Sequence, residues 1–362
     1  MKKILLSLTM VLAIVALASC SLNSKTTIEF TKLPETVYEA GDYSQEEINA
    51  KLAAISVKVS GVANEINLTN DLLTVSGFDA ATLKTAGTYN LVVVYGSANV
   101  VFSYTVVAKV EPQKVSTATE LQAALDKGGI VELEADILDN ASRFVITKSV
   151  AIYGNGHTIS VKKAATRVFD VNGISNINVQ IYSLNMVSNG ERCISLFSTT
   201  DVELTVNECQ LSATHYPINL ASGNNGTIVN VNSSKVTGYC AFNIWSNGAT
   251  INVNDSELVG ENKTTGENFG TIVINGGAWD VDNLGLTPGS TGQNNTLNFK
   301  NTKVVANAEL GGTQILLLVR DSSAGNNIAF EGCELVYNEG SLYTPDQINP
   351  ASNVFTVDGV RQ

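Results

Sequence analysis

A chain of 362 residues is long enough for two domains, each with a core of its own. Its formal net charge of −12, from 22 Lys and Arg against 34 Asp and Glu with few basic clusters, excludes the electrostatic footprint of a nucleic-acid binder. Only 15% of the residues are charged, while Asn, Ser, Thr and Gly abound, a mix common in extracellular β-rich proteins and unusual in helical ones.

Lys2-Lys3 precede an apolar run from Ile4 to Leu17, and Ala18-Ser19-Cys20 follow. A charged start, a short apolar core and small residues before a cleavage point read as an export signal over residues 1–19. The run is too short for a permanent transmembrane helix. Leu17-Ala18-Ser19-Cys20 resembles the bacterial lipoprotein box, which implies that Cys20 becomes the first mature residue and carries lipid. The alternative is an ordinary cleaved signal with a chance cysteine. No other segment could span a bilayer, so Cys20 would be the one membrane anchor, with residues 20–25 as a tether.

Residues 26–109 read as strands separated by turns. Tyr89, Leu91, Val93 and Tyr95 share one face of a strand, Gly96-Ser97 turns, and the alternation over Val101 to Val107 closes a β-hairpin. Leu33-Pro34, Tyr38, Gly41, Val75-Ser76-Gly77-Phe78-Asp79, Ala86-Gly87-Thr88-Tyr89 and the stretch Phe102 to Val107 resemble the group 3 bacterial Ig-like domains. The resemblance implies a β-sandwich serving as a spacer or adhesion module. Gln45 to Leu52 departs from it as a helix-friendly insertion and reads as a surface turn.

Residues 110–114, with Pro112, read as a linker. Thr119 to Lys127 predicts a helix capped by Thr119 and ended by Gly128-Gly129, with Ile130 to Ile137 as the next strand. Beyond it one pattern repeats. Val202, Leu204, Val206, Cys209 and Leu211 are followed at the same spacing by Thr227, Val229, Val231, Ser234 and Val236. The anchor recurs as Leu184, Cys209, Ser234, Ser256, Thr302 and Cys333, in steps of 25, 25, 22, 46 and 31 residues. Apolar residues two apart form one face of a strand, and the two-residue break before each anchor is a corner. Such steps mark stacked coils, none able to bury its apolar face alone. Asn207, Asn232 and Asn254 recur at one corner as an expected asparagine ladder. A β-sandwich is the rival, but it predicts hairpins instead of one fixed coil pattern. Val115 to Ile137, followed by Ile152-Tyr153-Gly154-Asn155-Gly156-His157-Thr158-Ile159, resembles the start of pectate-lyase-like right-handed β-helix proteins. The fold expected is therefore all-β: an N-terminal Ig-like β-sandwich, then over residues 115–362 a right-handed parallel β-helix with a short N-terminal capping helix.

Two insertions, Gly260 to Phe269 and Gly276 to Asn294, flank one short strand, Gly270 to Asn275, and long loops on a rigid scaffold are where function concentrates. If Ile194/Leu196, Ile218/Leu220, Phe242/Ile244 and Ile272/Ile274 point inward, two columns point out. One is Ser195, Asn219, Asn243, Val273, and the other is Phe197, Ala221, Trp245, Asn275. Trp245, Trp279, Asn219, Asn243 and Phe197 are the candidate ligand contacts, because sugar rings stack on aromatic faces while amides take hydroxyls. Trp279 would alternatively fold back over Trp245 and Val273 as a satellite core. Asp280 and Asp282 offer a weak oxygen site for Ca²⁺, against a solvated loop, and no other cofactor is implied. His215, beside Tyr216 and Pro217, reads as a turn residue, and Arg320-Asp321 as a surface ion pair. Cys193 and Cys240 lie about two coils apart, roughly 10 Å at the spacing of strands, too far for a disulfide. The thiols are therefore expected free and buried, without a zinc site. The paired Asp-Asp and Gly-His-Gly motifs of the fold's hydrolases have no counterpart, so no catalytic residue is assigned. The expected function is a lipid-anchored surface protein binding glycan or another surface polymer. The alternatives are a divergent polysaccharide lyase or glycoside hydrolase, and an adhesin stalk.

Overall fold

The computed structural model describes residues 26–261, 268–280, 285–288, 291–307, 313–320, 323–337, 342–345 and 352–362. Cys20 and the export segment lie outside the described residues. The chain divides after Lys109 into two compact units.

In the first unit, strands Ile28–Lys32, Ser56–Val59 and Ile66–Asn67 form an antiparallel sheet. Val37–Glu39, Ala98–Val107, Gly87–Tyr95 and Thr74–Ser76 form a second. The closing hairpin pairs Tyr95 with Ala98 across Gly96, whose φ of 59° is the left-handed conformation such a turn needs. The core centres on Tyr38, Phe78 and Tyr104, whose rings meet edge-to-face at 5.0 to 5.4 Å. The buried Tyr104 hydroxyl donates to the Gly77 carbonyl at 2.7 Å, which satisfies that polar atom inside the cluster. The expected surface turn is instead the helix α1, Gln45–Ala53. Ser44 and Glu47 make a reciprocal capping box, and Ile48 and Leu52, four apart, bury one face.

The second unit begins with strand Gln113–Val115, which pairs with Gly129–Leu133, so the expected linker already belongs to a sheet. The helix α2, Ala118–Lys127, is capped by Thr117 and not Thr119, because Glu120 stands where it can accept from the Thr117 amide. Its end at Gly128, with φ 75°, lets the chain turn into the stack. The expected strand Ile130 to Ile137 is split by a corner: Gly129–Leu133 joins one sheet and Ile137–Asn140 the next.

From there each coil gives one strand to each of three sheets. Sheet A has eleven strands, from Gln113–Val115 to Val360–Arg361. Sheet B has eight, from Ile137–Asn140 to Glu334–Val336, and sheet C has eight, from Phe144–Val145 to Tyr343–Pro345. Sequence neighbours never pair within sheets B and C, and every pair in them is parallel, an arrangement consistent with a parallel β-helix. Residues stack without slippage: Val179, Leu204, Val229, Ile251, Leu297 and Ile328 are successive partners in sheet A, all buried in one continuous core.

The corner between sheets A and B keeps this register. Ser183, Glu208, Ser233, Asp255 and Asn301 each hold a left-handed φ between 47° and 55°. A non-glycine residue there is strained. The strain is offset by hydrogen bonds to the next coil. The Cys209 amide donates to Ser234 Oγ at 3.0 Å, and the Ser234 amide to Ser256 Oγ at 3.1 Å. Asn254 Nδ2 reaches Asn232 Oδ1 at 3.0 Å, one rung of the corner ladder. A deeper ladder of buried amides runs Asn295 to Asn326 to Asn353, at 3.0 and 2.9 Å. Cys209 is buried, as an anchor must be, but Cys333 is only half-buried, because the strand that follows it is the last described strand of sheet B.

Two outcomes are expected. Cys209→Ser should move the melting temperature little, since Ser234 and Ser256 fill the equivalent places, whereas Cys209→Arg buries an unpaired charge and should abolish cooperative melting. Residues 110–362 expressed alone should melt cooperatively with a β-type circular dichroism spectrum; a fragment lacking both would mean that the two units depend on one another.

Candidate ligand-binding face

In its central coils sheet C alternates between core and outward face. Ile194, Leu196, Ile218, Leu220, Phe242 and Ile244 enter the core, and the residues between them face out. The outward column runs Asp170, Ser195, Asn219, Asn243, Val273, Leu318 in successive coils. None of these is available at the surface as an isolated contact: Asn219 and Asn243 are each only 4% exposed. Asn275 Nδ2 donates to Asn243 Oδ1 at 2.7 Å, Asn243 Nδ2 to Asn219 Oδ1 at 2.8 Å, and Asn219 Nδ2 to Ser195 Oγ at 3.2 Å. Asn219 and Asn243 are therefore rungs of a buried ladder, and their amides are consumed by it. Val273, expected outward, is buried too, in a second apolar cluster with Cys240, Ile315 and Leu318. The column is polar in the early coils and apolar in the later ones.

The exposure lies at the two ends of the strands. At the far end Phe197 is 39% exposed and Trp245 is half-buried, standing one residue beyond the strand Phe242–Ile244 with its amide donating to Leu220. Trp279 and Asp280 belong to the strand Gly277–Asp280, but their side chains, and Asp282 altogether, lie outside the described residues. The same holds for Asp321.

At the near end sits a constellation that the repeat pattern did not single out. Asp170, almost wholly buried, is gripped by Arg143 Nε at 2.8 Å and Arg167 Nη1 at 3.0 Å. Arg192, the register partner of Arg167, pairs with Glu191 at 2.7 Å and holds its guanidinium 5.9 Å from the centre of the Tyr216 ring. Tyr216 stacks on Phe269 at 6.0 Å, and Tyr239 lies 4.8 Å from Phe269. His215, expected as a plain turn residue, touches both tyrosines, at 5.7 and 6.3 Å. Arg320 leaves the far end of strand Thr313–Val319, yet its guanidinium is 5.4 Å from the Phe269 ring near the start of strand Asn268–Ile274. Its side chain therefore lies back across the outward face. Extending the coil register upstream by two or three residues exposes the signal, since Arg167, Arg192 and Tyr216 occupy one column and Glu191, His215, Tyr239 and Phe269 the next.

Burial sets the chemistry here. It pushes the Tyr216 hydroxyl up to about 12, so the phenol keeps its proton and can donate. Desolvation pulls the Arg192 guanidinium below its ordinary range, which Glu191 partly opposes. Cys193 and Cys240 are free and fully buried, and burial raises both thiols far above neutrality, so neither offers a nucleophile.

Among the described residues, no group of three or more His, Cys, Asp or Glu could hold a metal ion, and no helix is long and apolar enough to cross a membrane. A shallow groove follows the corner between sheets A and B, but no aromatic ring lines it and its Lys235–Glu257 and Lys303–Glu334 pairs are closed at 2.8 and 2.9 Å. Comparison of the chain with protein-family models, curated proteins and solved structures found no match.

The ladder predicts a stability effect. Asn243→Ala strands the Asn219 carbonyl and one Asn275 amide, and should lower unfolding free energy by about 1–3 kcal/mol in a urea titration. A loss near zero would mean that water replaces the rungs.

Proposed function

We propose that this chain is a lipid-anchored extracytoplasmic protein whose second unit, a right-handed parallel β-helix, binds a glycan along the outward face of sheet C without cleaving it. The first unit is an Ig-like spacer. The observation that carries this reading is the row of half-buried rings Tyr216, Tyr239 and Phe269, set at one end of successive strands with a guanidinium at either flank. Sugar rings stack their C–H faces on aromatic rings, while phenol, amide and guanidinium groups exchange hydrogen bonds with hydroxyls. A row running from coil to coil advances roughly 4.8 Å per step, which suits a polymer better than a single small molecule. The rings also roof the apolar cluster of Val273 and Leu318, and a rigid roof is a preorganised platform.

The non-catalytic part rests on the acids of this face. Glycoside cleavage uses two carboxylates about the scissile bond. Asp170 is held by two arginines and Glu191 by Arg192, which leaves neither poised as acid or base. The anchor rests on the lipoprotein box ending at Cys20, and the spacer on two small sheets that enclose one aromatic-centred core.

Retention on immobilised glycans, with parallel assay of reducing ends and unsaturated products, tests the reading. The parent should be retained by at least one glycan and release nothing. The double substitution Tyr216→Ala/Tyr239→Ala should weaken retention by about tenfold or more, about 1.4 kcal/mol, while keeping a cooperative melt. Product release by the parent would establish a lyase or hydrolase, and retention indifferent to the double substitution would move the site elsewhere. For the anchor, Cys20→Ser should release the protein from the membrane fraction; a variant still sedimenting with membranes overturns lipidation.

A further inference from the structure

The chain carries 34 acidic against 22 basic residues, yet only five are arginine, and four of those five lie on or beside the outward face of sheet C. Neutral sugars require no such concentration. Arg143 and Arg167 share the single carboxylate of Asp170, so that group keeps an excess positive charge. Arg192 is paired through Nη1 with Glu191, so it brings hydrogen-bond donors and no net charge, and its buried Nε has no acceptor. Arg320 has no carboxylate partner among the described residues and is held instead over the Phe269 ring. Cation–π contact fixes a guanidinium in place without neutralising it. A positive row on an acidic protein also focuses the local field, which draws anions to it.

Resting on the glycan reading above, we infer that the ligand is anionic: carboxylate or sulfate groups on the glycan sit against Arg320 and Arg192 while its rings stack on Tyr216 and Phe269. The planar guanidinium matches the geometry of a carboxylate or sulfate and sheds its weak hydration readily, which lysine does not. Ring and charge are thus recognised by adjoining groups. Arg320, reaching across the face from the opposite end of the strands, is the specificity-determining residue, because no carboxylate among the described residues neutralises its charge.

The full-length protein tests this with paired probes: hyaluronan beside its carboxyl-reduced form, and dextran sulfate beside dextran, each titrated at low and raised salt. At least one anionic probe should bind about tenfold or more tighter than its neutral counterpart, with affinity falling as salt rises. The pair that discriminates identifies the anion as carboxylate or sulfate. Arg320→Gln should erase most of that difference, Arg320→Lys should restore part of it, and both should keep the parental melting temperature. Lys235→Gln, on sheet B, should leave binding unchanged. Equal binding of charged and neutral partners overturns the anionic inference but leaves the glycan reading standing. An equal loss in Lys235→Gln and Arg320→Gln overturns it as well, because it reports diffuse attraction. Failure of the parent to bind any glycan, charged or neutral, overturns both.

Discussion

The rest of the structure depends on strict rung-over-rung register. A parallel strand has no hairpin to fix its partner, so something else must prevent a one-residue slip, which would turn every core side chain outward. Here the corners prevent it. Residues such as Glu208, Ser233 and Asp255 hold the left-handed conformation, and the anchors beside them are tied from coil to coil, the Cys209 amide donating to Ser234 Oγ and the Ser234 amide to Ser256 Oγ. A slip would lose these bonds and leave their donors buried. The amide ladders repeat the logic: Asn326 bonds Asn295 on one side and Asn353 on the other, so its place is defined by both neighbours. The buried amides of this ladder are tolerated because each is bonded to the equivalent asparagine one coil away.

That register also builds the candidate face. Equivalent positions in successive coils become columns, and a column is a line of chemistry parallel to the stack. One column of sheet C is a closed hydrogen-bonded line through Asn219 and Asn243, and it stiffens the floor. The columns just upstream carry charge in the early coils and rings in the later ones. The rings begin at Tyr216 in the coil of Asn219, and two coils later the floor becomes apolar at Val273 and Leu318, whose side chains are roofed and no longer meet water. The arginines remain at the margins, where charge stays partly hydrated.

Much of the architecture was legible. The period-2 alternation and the recurring small anchor identified stacked coils, and Asn207, Asn232 and Asn254 do stack in register, with one side-chain rung between them, Asn254 to Asn232. Errors fell at boundaries. Thr117 wins the cap over Thr119 because only it has Glu120 three residues on, and α1 is a packed helix because Ile48 and Leu52 find a core that local sequence does not show. The site was read less well. Alternation predicts correctly that Asn219 and Asn243 leave the core, but not that neighbouring coils consume their amides. Arg192 and Phe269 lie at strand starts that the alternation does not single out, Tyr216 reads only as the neighbour of a turn residue, and Arg320 reads as half of a surface ion pair because the ring it meets is far away in sequence.

Sequence by itself determined the coil, its step and its inward face, since these follow from local periodicity and from small residues at a crowded corner. It also determined the acidic balance, which is a property of composition. Only the tertiary structure decided which outward residues meet solvent, because burial depends on what the adjoining coils place overhead. It alone brought Arg320 to Phe269 across 51 residues of chain, and Tyr216 to Phe269 across 53, through stacking that joins positions by coil number and not by sequence distance.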